Sequence, residues 1–368
     1  MPARTHAASR PSRMAWWAGA ASSLLALLAA ACERHPAGAA TPAGPAKAAA
    51  PSPATPASSP ATAAPAAPAA PAASAAAAPA TPSAPATIAA PWSRIGVIGA
   101  SATAGFGVLV LAPGKAHETS AGADLADVVR AAANASPVVS LFGTMFFFST
   151  PIQTGDDEVT RVLASHPTLV LGLDFLFWYG YGNDDLHGRP ITREAQRLEL
   201  LEEGLRQLDR ITAAGIPLVV SDLPDMRAAA GGILSESQVP EPETLRAINS
   251  RIRAWAAERR NVRVVSLSTL VPAFQTEDTI EIGGRRWSRK DDGALVQRDH
   301  LHPTFAGLVA MFAEAVNQVE SMFPGSTNGL FTLDPAVVRT RVLEAVNSPR
   351  PRGAAPAGPR DPSRPRRP

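Results

Sequence analysis

The sequence predicts one α/β domain built on a parallel sheet of about five strands, with helices on both faces. Between residues 92 and 348, short apolar segments with strand character alternate with longer amphipathic segments. Such alternation is typical of parallel strands connected by helices. In addition, small or acidic residues follow four of the apolar segments, namely Ser101, Gly143, Asp174 and Asp222. The carboxyl ends of parallel strands are where α/β sheets form their sites.

Five segments are predicted as strands because they are short, apolar and rich in β-branched residues. They cover residues 92–99, 137–142, 168–174, 216–222 and 262–267. A hairpin turned by Gly283 and Gly284 is predicted over residues 279–287.

The segments between and after the strands have helical periodicity. Apolar residues recur every three or four positions in the longest segment, and Gly215 marks its end. A further core helix is predicted after Pro303. The remaining predicted helices cover residues 124–133, 155–166, 192–214, 243–259 and 335–346.

The amino-terminal segment resembles an export signal. Three arginines and no acidic residue precede an apolar segment over residues 14–31, which ends in three alanines before Cys32. This arrangement resembles a bacterial lipoprotein signal, which implies that Cys32 becomes the lipidated first residue of the mature protein. An ordinary cleaved signal or an uncleaved anchor, with Cys32 incidental, remains an alternative. We expect residues 1–31 to be a signal peptide and the protein to be exported to the cell envelope and anchored to a bacterial membrane.

Two low-complexity regions flank the predicted domain. Residues 32–91 consist almost entirely of Ala, Pro, Ser and Thr, and residues 349–368 are rich in Pro and Arg. Because neither region has enough apolar residues to form a core, we expect a disordered tether and a disordered tail. Lys and Arg number 34 against 32 Asp and Glu, which does not indicate a nucleic-acid partner. The single cysteine excludes a disulfide within one chain.

Three residues predict nucleophilic catalysis. Ser101 follows the first strand, and Asp299 and His302 lie three positions apart near the end of the domain. A serine hydroxyl needs a base to take its proton, and the base needs a partner that holds and stabilises the imidazole. The backbone N–H groups of Ser101 and Gly143 are candidate donors to the oxyanion.

The same residues carry a family resemblance. Gly99-Ala100-Ser101, with the following Thr103 to Gly107, resembles the nucleophile block of SGNH (GDSL-type) hydrolases. The segment from Asp299 to Gly307 resembles their closing Asp-x-x-His block. The resemblance spans roughly residues 93–323. It implies a flavodoxin-like three-layer α/β/α fold and ester hydrolysis without a cofactor or metal. It also implies Ser101 as nucleophile, His302 as base, Asp299 as its partner and Gly143 as the oxyanion glycine.

The chain departs from the family pattern at two places. Ala100 stands where the family usually has Asp, and the Gly-x-Asn-Asp block is present only as Tyr181-Gly182-Asn183-Asp184. Asp174 lies closer to a strand end, but an ionised carboxylate cannot donate to an oxyanion. We therefore expect Asn183 to be the third oxyanion donor. We expect Asp174 to support the site or to contact the substrate.

The function predicted from these residues is that of an exported serine esterase acting on acyl or acetyl esters. Lipid, polysaccharide and small-molecule esters all remain possible substrates, because one triad serves all three. The alternative is a non-catalytic envelope binding protein that retains the fold, suggested by the incomplete Gly-x-Asn-Asp block.

Overall fold

The computed structural model describes residues 91–111 and 120–348. Its strands are β1 (Arg94–Val97), β2 (Leu109–Leu111), β3 (Ser120–Gly122), β4 (Val138–Leu141), β5 (Leu169–Gly172), β6 (Leu218–Ser221), β7 (Val262–Val265), β8 (Thr279–Ile282) and β9 (Arg285–Ser288). Its helices are α1 (Leu125–Ala132), α2 (Pro151–Ala164), α3 (Phe177–Tyr181), α4 (Ala195–Ala213), α5 (Pro242–Ala257), α6 (Leu267–Thr276), α7 (Arg289–Asp292), α8 (Phe305–Met322) and α9 (Pro335–Asn347). The predicted signal peptide, Cys32, all of the tether except Pro91, and the tail lie outside the described residues.

A parallel sheet of five strands, in the order β4-β1-β5-β6-β7, forms the centre of the domain. These are the five strands that the apolar segments predict, so the predicted fold class is confirmed. Counted along the chain, the order is 2-1-3-4-5, as in flavodoxin-like folds. The direction of winding reverses between β1 and β5, where such folds form a crevice at the carboxyl ends of the strands.

Helices cover the sheet in two groups. Helices α1, α8 and α9 pack together in one group, and α2, α4 and α5 pack together in the other. All residues of β5 and β6 are buried, as expected for central strands covered on both faces. The predicted amphipathic segments therefore bury their apolar faces in the expected way.

Local signals set several helix boundaries. Asp124 accepts a hydrogen bond from Asp127 N, and the Asp127 side chain accepts one from Asp124 N, which forms a capping box at the start of α1. Thr304 caps α8 by accepting from Gly307 N. The β8–β9 hairpin turns at Gly283 and Gly284, as predicted.

Helices α3, α6 and α7 and strands β2 and β3 were not predicted. Helix α6 contains Pro272, which interrupts the helical signal in the sequence. Strands β2 and β3 pair antiparallel, but each has three residues and is too short to show a clear alternation. In the part of the chain that is described, no helix has the length and apolar character needed to cross a membrane.

Candidate active site

Ser101 lies in the turn that follows β1, and a buried carboxylate from the neighbouring strand holds this turn. Asp174, just beyond β5, accepts hydrogen bonds from Ala100 N at 2.9 Å and from Thr103 Oγ1 at 2.6 Å on Oδ1. Its Oδ2 accepts from Ala102 N at 2.9 Å and from Thr103 N at 3.1 Å. Asp174 thus bonds to both sides of Ser101 and leaves the Ser101 N–H unused.

The protonation of Asp174 reflects two opposing effects. Burial raises the pKa of Asp174 above its ordinary value, while the four donated hydrogen bonds act to lower it. These donors favour the carboxylate, because a protonated carboxyl has fewer lone pairs for them. The structure therefore gives Asp174 a positioning role and no role as an oxyanion donor.

Glu158 is a second carboxyl group beneath the same turn. It projects from α2, is fully buried, and accepts a hydrogen bond from Gly99 N at 2.8 Å on Oε2. Its Oε1 has no hydrogen-bond partner among the described residues. Burial, reinforced by the charge of Asp174, raises the pKa of Glu158 to about 9. Glu158 is therefore neutral at pH 7.

The backbone at Gly99 adopts a conformation that suits glycine. Its φ is +142°, and a Cβ there would lie 2.7 Å from Thr103 Oγ1 and would also overlap Asp174. The absence of a side chain lets the Asp174 carboxylate approach the turn.

The residues Ser101, His302 and Asp299 form one chain of hydrogen bonds. His302 Nε2 lies 2.9 Å from Ser101 Oγ, and His302 Nδ1 lies 2.7 Å from Asp299 Oδ2. With Asp299 ionised, Nδ1 carries the proton and donates a hydrogen bond to the carboxylate. Nε2 is then free to accept from the Ser101 hydroxyl, which is the arrangement a general base requires.

The loop backbone stabilises the ionised form of Asp299. Its Oδ1 accepts from Leu301 N and from His302 N, both at 3.0 Å. Burial raises the pKa of Asp299, but the bonds from the His302 ring and from these two N–H groups outweigh it. The pKa is therefore below its ordinary value. The carboxylate remains charged at neutral pH and stabilises an imidazolium on His302.

Gln297 joins the nucleophile turn to the loop that carries the base. Its Nε2 donates to Phe106 O and to Pro303 O, each at 2.8 Å, and its backbone N donates to His302 O at 2.8 Å. The Phe106 ring also packs against the His302 ring, with the two centroids 4.5 Å apart. These contacts fix the separation of Ser101 from His302.

Two backbone N–H groups are available for an oxyanion. Neither Ser101 N nor Gly143 N donates a hydrogen bond to any acceptor in the described residues. The turn after β4 lies against the turn after β1, since Thr144 N donates to Gly99 O at 3.0 Å. A Cβ at Gly143 would lie 2.7 Å from Thr103 Cγ2 and 2.8 Å from Gly99 O. Glycine therefore permits this close approach.

Asn183 lies elsewhere. It is exposed, its backbone carbonyl accepts from Ile191 N, and it does not line the cavity at Ser101. The structure thus does not bring Asn183 to the other predicted site residues. Asp174 occupies the strand-end position near Ser101.

The roles of Glu158, Gln297 and Phe106 at the site were not predicted from the sequence. Glu158 could have been identified from the sequence, because it is a charged residue beside Val159 on the apolar face of a predicted helix. No local pattern in the sequence indicates the roles of Gln297 and Phe106, since their contacts join segments almost two hundred residues apart. No cluster of His, Cys, Asp and Glu suited to a metal ion is found among residues 91–111 and 120–348.

A cavity of about 50 Å³ opens beside Ser101 and His302. Leucine, valine, phenylalanine and methionine side chains form most of its wall. They come from the segments that follow β5, β6 and β7 and from the loop before α8. The cavity lies at the carboxyl ends of the strands, as sites in parallel sheets usually do.

Comparisons with known proteins find a distant structural neighbour. No family model matches the chain, and no curated protein matches it. A solved structure described as BT4096, a gut microbial diltiazem-metabolizing enzyme, aligns with a TM-score of 0.37 and 15% identity. The alignment covers 61% of this chain and 47% of that chain, so this chain matches about half the length of that protein.

Proposed function

We propose that this protein is a serine hydrolase of the SGNH type that cleaves carboxylic esters through an acyl-enzyme on Ser101. The observation that carries the proposal is the chain of hydrogen bonds from Asp299 through His302 to Ser101 Oγ, at 2.7 and 2.9 Å. The two unused N–H groups of Ser101 and Gly143 support it, because acyl transfer requires donors for the oxyanion.

The reaction proceeds in two halves. Ser101 Oγ attacks the ester carbonyl carbon while its proton moves to His302 Nε2, and the oxyanion accepts from Ser101 N and Gly143 N. The C–O bond to the alcohol then breaks, and His302 returns the proton to the departing oxygen. Water, deprotonated by His302, attacks the acyl-enzyme, releases the acid and restores Ser101.

The alternative of a non-catalytic binding protein is less well supported. A binding protein has no need for a serine hydroxyl that donates to an imidazole backed by a carboxylate. The incomplete Gly-x-Asn-Asp block suggests that alternative, and Asn183 does not line the cavity at Ser101. Two backbone donors are nevertheless sufficient for an oxyanion hole, as in serine proteases.

Hydrolysis of p-nitrophenyl acetate tests the proposal. We expect wild-type protein to turn over, and Ser101→Ala and His302→Gln to lose about 10³-fold or more of kcat. Ser149→Ala, at an exposed serine outside the site, is the matched control and should retain wild-type activity. Equal rates for Ser101→Ala and wild type would contradict the proposal.

We further propose that the protein is exported and anchored to a membrane through a lipid on Cys32. The support is the sequence pattern of residues 1–32 alone. Its partners are then a bacterial membrane and a small-molecule, lipid or polysaccharide ester, with no nucleic acid involved. Mass spectrometry of the mature amino terminus should find acylated Cys32, and a mature chain beginning at any other residue would contradict the anchor.

A further inference from the structure

We propose that the cavity beside Ser101 is an acyl-chain pocket that selects esters of short, unbranched apolar acids of about four or five carbons. This inference rests on the proposed function and names the substrate class of the same site. It follows from the chemistry of the cavity wall and from the size of the cavity.

The wall of the cavity is apolar. Its main contributors are buried side chains, namely Phe177, Leu223, Met226, Val271, Phe274 and Leu295. They come from the segment after β5, the segment after β6, helix α6 and the loop before α8. A wall of this composition favours an alkyl chain, because burying each methylene contributes about 0.8 kcal/mol.

The polar side chains that line the cavity are already engaged. Asp174 accepts four hydrogen bonds from the nucleophile turn, and Ser221 Oγ donates to Leu173 O. The others are Ser101 and His302, which bond to each other. Sugar rings and charged groups are bound through hydrogen bonds to several polar side chains. The polar side chains of this wall already have hydrogen-bond partners, so none is free to bind such a group. The pocket therefore fits neither a sugar nor an anionic group.

The size of the cavity sets the chain length. A water-sized position takes roughly 10–15 Å³ of such volume, so about 50 Å³ holds about three to five positions. One carbon occupies about one position, which gives about four carbons beyond the carbonyl within a range of three to five. Butanoate and pentanoate fill the pocket, acetate leaves most of it empty, and a decanoate chain extends beyond it.

The experiment is a series of p-nitrophenyl esters that share one leaving group and differ in the acid. We expect kcat/KM to rise about 15-fold from acetate to butanoate, as two buried methylenes predict, and to show no rise beyond pentanoate in the series up to decanoate. Acetate cleaved as fast as butanoate, or a steady rise through decanoate, would overturn the inference.

Two variants connect the preference to the pocket. Val271→Phe fills it and should reduce the advantage of butanoate over acetate to less than about 3-fold. Phe274→Leu enlarges it and should shift the preferred acid towards hexanoate. Val337→Phe, the same kind of change on the exposed side of α9, is the matched control and should keep the wild-type profile. Unchanged profiles in both pocket variants would overturn the inference.

Two measurements separate this inference from the proposed function. Ethyl fluorophosphonate reacts with an activated serine without using an acyl pocket. If Ser101 is labelled but kcat/KM does not vary with the length of the acid, the acyl-chain pocket is overturned and the proposed hydrolase function stands. If Ser101 is not labelled and no ester is cleaved, both proposals are overturned. A series of acetate esters of longer alcohols is the second arm. Chain-length dependence that appears only there, and disappears in Val271→Phe, would assign the pocket to the alcohol and overturn the inference.

Discussion

Asp174→Asn tests how the nucleophile turn is held. Each oxygen of the Asp174 carboxylate accepts two hydrogen bonds from the turn. The amide replaces one oxygen by an NH₂ group, which can donate but cannot accept. If the amide nitrogen takes the place of Oδ2, two backbone N–H groups of the turn face another donor. If it takes the place of Oδ1, one does, because the Thr103 hydroxyl can rotate and accept from the amide.

The size of the effect follows from these lost acceptors. A buried donor left without a partner costs about 1–3 kcal/mol, so one or two cost about 1–6 kcal/mol. If the fold remains and the turn moves, Ser101 shifts relative to His302. A loss of about 1–6 kcal/mol at the site corresponds to about 5-fold to 10⁴-fold in rate. We expect a fall of at least about 5-fold in kcat.

The assay is the rate at which a fluorophosphonate modifies Ser101, expressed per folded molecule, with urea unfolding measured in parallel. Thr103→Val removes one of the four bonds, made by a hydroxyl at 2.6 Å. It should cost about 1 kcal/mol, or about 5-fold in rate.

Asp222→Asn is the matched control. Asp222 is also a buried carboxylate beyond a central strand, but it accepts from Arg253, Ser266 and Ser268 and does not contact the nucleophile turn. Its substitution should lower the free energy of unfolding without slowing modification of folded molecules. A folded Asp174→Asn protein that reacts at the wild-type rate would refute the reasoning.

Three further predictions concern other groups around the site. Gln297→Met keeps the length of the side chain but removes both amide donors to Phe106 O and Pro303 O. It should lower kcat about 10-fold or more at nearly constant KM. An unchanged kcat in steady-state kinetics would contradict the role of Gln297 in joining the nucleophile turn to the loop that carries His302. Gly143→Ala places a methyl group 2.8 Å from Gly99 O and so displaces the oxyanion N–H. Its kcat should fall about 10²-fold, and a wild-type kcat would exclude Gly143 as a donor. The raised pKa of Glu158, about 9 against 4.5, means that the folded state keeps a proton which the unfolded state has lost. Stability should therefore fall as pH rises between about 5 and 9, by up to about 1.4 kcal/mol per pH unit from this group. The free energy of unfolding of Glu158→Gln, measured in urea, should depend less steeply on pH than that of wild type. Equal pH dependences in the two proteins would contradict a raised pKa of Glu158.

The sequence predicts much of the fold because its signals are local. Each of the five sheet strands is an apolar segment bounded by polar or small residues, and helix starts such as Asp124 carry capping signals that the structure confirms. Helix α6 escapes prediction because Pro272 breaks its pattern. The short β2–β3 pair escapes because three residues give no periodicity.

The candidate site likewise has a part that the sequence predicts and a part that it does not. Ser101, Asp299 and His302 stand in short segments whose residue types indicate their chemistry, and the structure places them within hydrogen-bond distance of one another. The support of the nucleophile turn depends on tertiary contacts. Asp174 lies far from Ser101 in the chain, and its bonds arise because β5 lies beside β1 in the sheet.

The order of strands also explains the position of Asn183. The residue that meets the nucleophile turn lies two positions beyond the end of β5, and that residue is Asp174. Asn183 comes after α3, which carries the chain away from the sheet edge to an exposed loop. An Asn-Asp pair identified by residue type alone could not show this separation.

The most direct test of the central claim is intact-protein mass spectrometry after treatment with a fluorophosphonate, followed by mapping of the modified residue. The account predicts one adduct per folded molecule, located on Ser101. It also predicts that His302→Gln slows the reaction about 10³-fold or more, because Nε2 no longer accepts the proton. A folded wild-type protein that remains unmodified at Ser101, or that reacts no faster than His302→Gln, would contradict the account.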